Sequence, residues 1–240
     1  SAAPADWLIV DLHGAYPAYS APPLQQLLSR TESLEALADR LDRIAETSWV
    51  RGVLVTVTQL ATGLATTHAI AGMLGRLAAS KRVVAYLPHV DARSLLVTAQ
   101  LSEVVAPESA DVMVAGFAAE QVYLGDLLRR AGIEVENLRI REYKSALTTF
   151  SDNHMDEFNR EQLTAYLGSV ERSWLATLAR ARGVEPARAE QWLAARYSSA
   201  QQLLEAGLIT RIAYDDELAV PADQQWAKTL SFVLPRRNRP

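Results

Sequence analysis

Brief β-branched runs alternate with longer stretches of helical period, and this leaves the chain few possible architectures. WLIVDLH (7–13), GVLVTVT (52–58), RVVAYLP (82–88), EVVAP (103–107) and DVMVAG (111–116) are short and bounded by Gly, Pro or Asp, as buried strands are. Between them, SLEALADRLDRIAE (33–46) and HAIAGMLGRLAAS (68–80) repeat apolar residues at spacings of three and four, so each is a helix with one buried face. A βαβ alternation predicts a mostly parallel sheet covered by helices, an α/β fold. The second half changes character. After NLRIREY (137–143), DEFNREQLTAYLGSVERSWLATLARARG (156–183) and PARAEQWLAA (186–195) read as helices, separated by Gly183 and Pro186. In the longer of the two, Leu163, Tyr166, Leu167 and Val170 form a stripe that Trp174, Leu175 and Leu178 continue. That stripe is expected to pack on the body of the protein and on a neighbouring subunit, the alternative being packing within one chain alone.

Composition narrows the function classes. With 240 residues, 49% of them hydrophobic and 22% charged, the chain has enough apolar mass for one large or two small domains, and one is favoured. We assign residues 1–235 to that single domain and 236–240 to a basic tail or linker. The formal charge of -4 is spread over intermixed acids and bases, so no nucleic-acid partner is expected. There is no cysteine, which excludes disulfides and thiolate metal sites. No run of about 18 apolar residues occurs, so no membrane span or signal peptide is expected within these residues. The first residue is Ser1, and a processed or trimmed N-terminus is the corresponding expectation.

Most chemical motifs are absent. His13, His68, His89 and His154 share no HxxxH or HExxH spacing, and no GxGxxG or GxxxxGK[ST] follows a strand. No metal or cofactor is therefore expected. HVDARS (89–94) contains a serine, a histidine and an aspartate, Ser94, His89 and Asp91. Triad members normally come from separate loops, however, and Asp91 just before ARSLLVTAQ fits a helix N-cap. Gly63, just past the second strand, is either a backbone donor to an oxyanion or a turn glycine. Lys144 is one of three lysines, beside Lys81 and Lys228, in a chain that otherwise uses arginine. Only the lysine can give up its proton, so Lys144 is a candidate base. Its other reading is a surface ion pair with Glu142, two residues away on the same face of a strand.

REYKSALTTFSDNHMDEFNREQLTAYLGSV (141–170) resembles the segment of the signal peptide peptidase A family (protease IV, peptidase family S49) in which G-x-Y-K-S-A supplies a lysine base. YLGDLLRRAGIEVENLRIREYKSA resembles that family's helix and strand leading into the lysine, and AQQLLEAGLITRIAYDDELA (200–219) its closing element. Upstream, VRGVLVTVTQLATGLATTHAIAGMLGRL corresponds to the strand and loop carrying the oxyanion glycines. KRVVAYLPHVDARSLLVTAQLSEVVAPES corresponds to the strand, nucleophile helix and return strand. The resemblance implies a ClpP/crotonase-like fold and a catalytic role for Lys144.

Two departures qualify what the resemblance implies. The family's nucleophile lies in A-S-G-G-Y-Y. Setting Leu95 and Leu96 on the aromatic pair puts Ala92 at the serine, while a one-residue gap brings Ser94 nearer and leaves Arg93 in place of a small residue. The S-P-G-G oxyanion motif retains only Gly63. Lysine present and serine absent resembles the N-terminal repeat of the family's long tandem form, in which the second repeat supplies the serine. The implied partners are signal peptides as substrates, a second repeat of the same protein beginning about where PRRNRP ends, and further copies in a homo-oligomer. The implied location is at the cell membrane, through a segment absent from this sequence, with the catalytic domain on the extracytoplasmic side. On these grounds the chain alone is expected to be inactive. A non-catalytic scaffold or binding protein on the same fold is the alternative, and an acyl-CoA crotonase enzyme is a third reading that the YKSA block opposes.

Overall fold

The computed structural model describes residues 6–19, 31–114, 116–118, 120–136, 148–218 and 226–228. They fall into two compact units, one formed by Ser1–Ala115 and Ala176–Pro240 and the other by Gly116–Leu175. The first unit is built on a six-stranded sheet, ordered β7-β5-β3-β2-β1-β8, in which every pairing is parallel. Its strands are β1 (Trp7–Gly14), β2 (Gly52–Leu60), β3 (Arg82–Tyr86), β5 (Glu103–Ala106), β7 (Arg211–Ile212) and β8 (Trp226–Lys228). The mostly parallel α/β architecture expected from the βαβ alternation is thus present.

The sheet is buried on both faces, which explains why its strands read as nearly continuous apolar runs. Leu8, Val10, Leu12, Val53, Val55, Val57, Ala85 and Val104 are essentially inaccessible. Trp7, Leu54, Val84, Tyr86 and Val105 pack in a separate buried cluster with Ala213 and Leu218. A Cβ on Gly52 would lie 2.5 Å from the Trp7 ring, so the start of β2 accepts no side chain there. Arg82, at the head of β3, stacks over the same ring at 5.6 Å and donates to both carboxylate oxygens of Glu103 on β5, at 2.7 and 2.9 Å. The pairing holds the Glu103 carboxyl below its ordinary range.

Helices α1 (Leu34–Glu46) and α2 (Leu64–Ala78) connect β1 to β2 and β2 to β3. Ser33 caps α1 by accepting a hydrogen bond from the Ala36 N–H at 3.1 Å. The helix then buries Leu37, Leu41 and Ile44 at the predicted spacing. α2 begins four residues before the stretch read from periodicity, and its N-cap, Gly63, has no side chain to mark that start in the sequence. A short strand the sequence did not announce, β4 (His89–Asp91), pairs in parallel with β6 (Asp111–Met113), and the helix α3 (Ala92–Val97) follows directly.

In the second unit, α4 (Gly125–Arg130) and α5 (Thr148–Ser151) precede the long helix α6 (Glu157–Arg182), whose residues from Ala176 onward belong to the first unit. Trp174 is fully buried and meets Phe117 edge-on at 6.3 Å. Earlier on the helix, Phe158 and Tyr166 are exposed, as are Val122, Leu127, Ile133 and Phe150 of the same unit. In the first unit, α7 (Pro186–Ala194) and α8 (Ala200–Glu205) precede β7 and β8. The strand expected at 137–143 lies outside the described residues.

Candidate functional site

In an open parallel sheet, functional groups collect beyond the carboxyl ends of the strands. Two of the candidate residues follow such ends here, Gly63 after β2 and Ala92 after β4. The loop after β2 is held along its length. Ala61 donates its N–H to the Gly14 carbonyl at 2.8 Å. Thr62 and Thr67, both buried, join hydroxyls at 2.9 Å. The Gly63 carbonyl accepts from both the N–H and the hydroxyl of Thr67, each at 3.0 Å.

The turn into α3 is fixed by a reciprocal cap. The Ser94 N–H donates to Asp91 Oδ1 at 2.7 Å, and the Asp91 N–H donates to Ser94 Oγ at 2.8 Å. Ser94 Oγ also lies 3.0 Å from the Asp91 carbonyl, to which it donates. The helix-cap reading of Asp91 is therefore what the chain adopts. Ser94 is 2% exposed, and its hydroxyl is engaged by the residue that starts the helix. His89 does not join it: His89 Nδ1 lies 2.9 Å from Asp111 Oδ2, across the β4–β6 pair. Ala92 occupies the first position of α3.

Arg93 connects the two segments. From the first turn of α3 its Nε donates to the Thr62 carbonyl at 3.0 Å, so the loop carrying Gly63 and the helix carrying Ala92 are tied by one side chain. This link is absent from any motif. Its only trace in the sequence is an arginine where the family pattern has a small residue. Lys144 and Glu142 lie outside the described residues.

Beyond the end of β1, sequence reasoning also missed a cavity of about 130 Å³ lined by His13, Gly14, Ala15, Tyr16, Thr31 and Glu32. Glu32 accepts a 2.8 Å ion pair from Arg40 Nη2. Burial nevertheless outweighs the Arg40 and His13 charges and raises the Glu32 carboxyl above its ordinary range. Tyr16 is raised as well, by burial first and by the Glu32 charge second. No spacing in the sequence marks Glu32, because the cavity depends on where β1 stops.

The model of peptidase family S49 matches residues 76–229. The chain is 28% identical over 197 residues to the chloroplastic serine protease SPPA of Arabidopsis thaliana, covering 80% of this chain and 29% of that protein. It thus spans less than a third of that relative's length. Among solved structures, a ClpP1 mutant from Listeria monocytogenes superposes with a TM-score of 0.52 at 10% identity, over 89% of this chain and 95% of the other. A mutant of the membrane-bound stomatin-specific protease 1510-N gives 0.52 at 13% identity, over 94% and 98%. At such identities these two structures establish the fold, which is ClpP-like.

Proposed function

Because this chain belongs to peptidase family S49, we propose that it forms the lysine-donating half of a serine-lysine peptidase that degrades cleaved signal peptides. The observation that carries this reading is the first turn of α3. Alanine stands at position 92, and the nearest hydroxyl in the chain sequence, Ser94, is taken up in the cap with Asp91. A relative named as a serine protease, with more than three times the length this chain covers, is consistent with a serine contributed from elsewhere in such a protein.

In this mechanism a neutral Lys144 takes the proton from the hydroxyl of a serine on a second repeat. The alkoxide attacks the scissile carbonyl, and backbone N–H groups hold the oxyanion. The assembled enzyme is a membrane-associated homo-oligomer, with its catalytic domain on the extracytoplasmic side. The apolar side chains exposed on the second unit support the assembly part of this reading.

The same alanine at position 92 also favours a second reading, a non-catalytic scaffold on this fold. Fluorophosphonate labelling of the complete gene product separates the two. A labelled serine outside residues 1–240 is expected, and an unlabelled protein would favour the scaffold.

A further inference from the structure

We propose that Arg93 sets the orientation of the Thr62–Gly63 peptide, and that this peptide has a second orientation in which the Gly63 N–H, rather than the Thr62 carbonyl, faces the first turn of α3. The inference rests on reading Gly63 and position 92 as the oxyanion and nucleophile positions of the site.

The peptide is trans, and in a trans peptide the C=O and the N–H point in opposite directions. Arg93 Nε, reaching from α3, donates to the Thr62 carbonyl at 3.0 Å. The carbonyl therefore points at the Arg93 side chain, on the α3 side of the loop, and the Gly63 N–H points away from it. In this orientation the peptide offers an acceptor on the Arg93 side, whereas an oxyanion bound there would require a donor. Arg93 is the positioning residue that holds this arrangement.

Gly63 itself supplies the second half of the argument. Its φ of -69° and ψ of 163° are open to any residue, and an added Cβ would meet nothing within 4 Å. Neither backbone nor packing requires a glycine in the orientation observed. Turning the peptide over adds about 180° to φ, to roughly +110°, a region that glycine enters readily and other residues do not. The Gly63 carbonyl stays anchored on Thr67, so the rotation is confined to the one peptide that Arg93 grips.

Residual dipolar couplings of the isotope-labelled chain report the direction of the Gly63 N–H. The parent and Arg93→Lys, whose ammonium can donate to the same carbonyl, are expected to fit the orientation described. Arg93→Ala should lose that agreement at Gly63 while couplings along β1, β2 and β3 keep theirs. Arg93→Ala combined with Gly63→Ala should recover the parent value, because alanine resists the turned φ. Arg93→Gly is read in the same way if the alanine variant does not fold. Parent couplings at Gly63 in a folded Arg93→Ala or Arg93→Gly protein would overturn the proposal, as would a double variant that stays turned. The labelling of a distant serine tests the split site and leaves these couplings untouched, so the two readings fail separately.

Discussion

Asp91 and Ser94 each satisfy the other's backbone, Ser94 N–H on the Asp91 carboxylate at 2.7 Å and Asp91 N–H on the Ser94 hydroxyl at 2.8 Å. This cap gives Ser94 a structural role. Asp91→Ala should lower stability by about 1 kcal/mol, with a smaller loss for Ser94→Ala, as read from denaturant midpoints. Peptide turnover by the complete protein should survive Ser94→Ala unchanged. A Ser94→Ala protein that folds but no longer turns over peptide would make Ser94 the nucleophile and end the split-site reading.

The pairing of Arg82 with Glu103 predicts a dependence on acid. The folded-state pKa of Glu103 is lowered, by the Arg82 hydrogen bonds before any other cause. Its contribution is therefore present above the ordinary carboxylate pKa and lost as pH falls through the depressed value. Arg82 is exposed and Glu103 about one-third exposed (35%), so solvent screening keeps the effect below about 1 kcal/mol. Thermal melts should place parent and Glu103→Gln furthest apart at neutral pH and bring them together in strong acid.

Glu32 predicts the opposite trend. Its carboxyl is raised, chiefly by burial, so the folded protein holds that proton more tightly than the unfolded chain does. The associated stability is full below the unfolded pKa and is lost as pH rises through the folded one. Relative to Glu32→Gln, which keeps an acceptor for Arg40, the parent should lose stability as pH increases from the acid side toward neutrality. Melting temperatures of the two proteins that stay parallel across that window would show that Glu32 is not destabilised by its burial.

The parallel sheet was legible because strands buried on both faces leave unbroken runs such as GVLVTVT, and helices α1 and α2 because their apolar spacing matches one buried face. The capping role of Asp91 was legible for a similar reason, being local chemistry within four residues. What escaped was set by distance along the chain. β4 is three residues long and exists through its pairing with β6, about twenty residues away. The Arg93 link to Thr62 spans 31 positions. Trp174 is buried and Tyr166 exposed although both lie on the stripe read from α6, so the helical period alone does not say which part of the stripe is covered.

The exposed apolar side chains of the second unit predict association. Val122, Leu127 and Tyr166 are each more than 60% exposed, and burying such side chains between copies would be favourable. Multi-angle light scattering of the complete protein should give an oligomer. Leu127→Asp with Tyr166→Asp should shift it toward smaller species while leaving the melting temperature of the first unit in place. A strict monomer at high concentration would remove the homo-oligomer from the proposed function.

Lys144 sits in YKSA, the block with the most specific resemblance to the family, and its proposed task is to accept a proton from a serine it does not share a repeat with. That task separates two conservative-looking substitutions. Lys144→Ala removes the base, and Lys144→Arg keeps a positive charge on a group that stays protonated at any pH the protein survives. If the lysine is the base, both variants of the complete protein should lose peptide turnover to a similar degree, by about a hundredfold or more. Binding of an uncleavable peptide should change little in either. If the lysine is instead the partner of Glu142 in a surface ion pair, Lys144→Arg preserves that pair and turnover with it. Substantial activity in the arginine variant would therefore assign Lys144 to the surface.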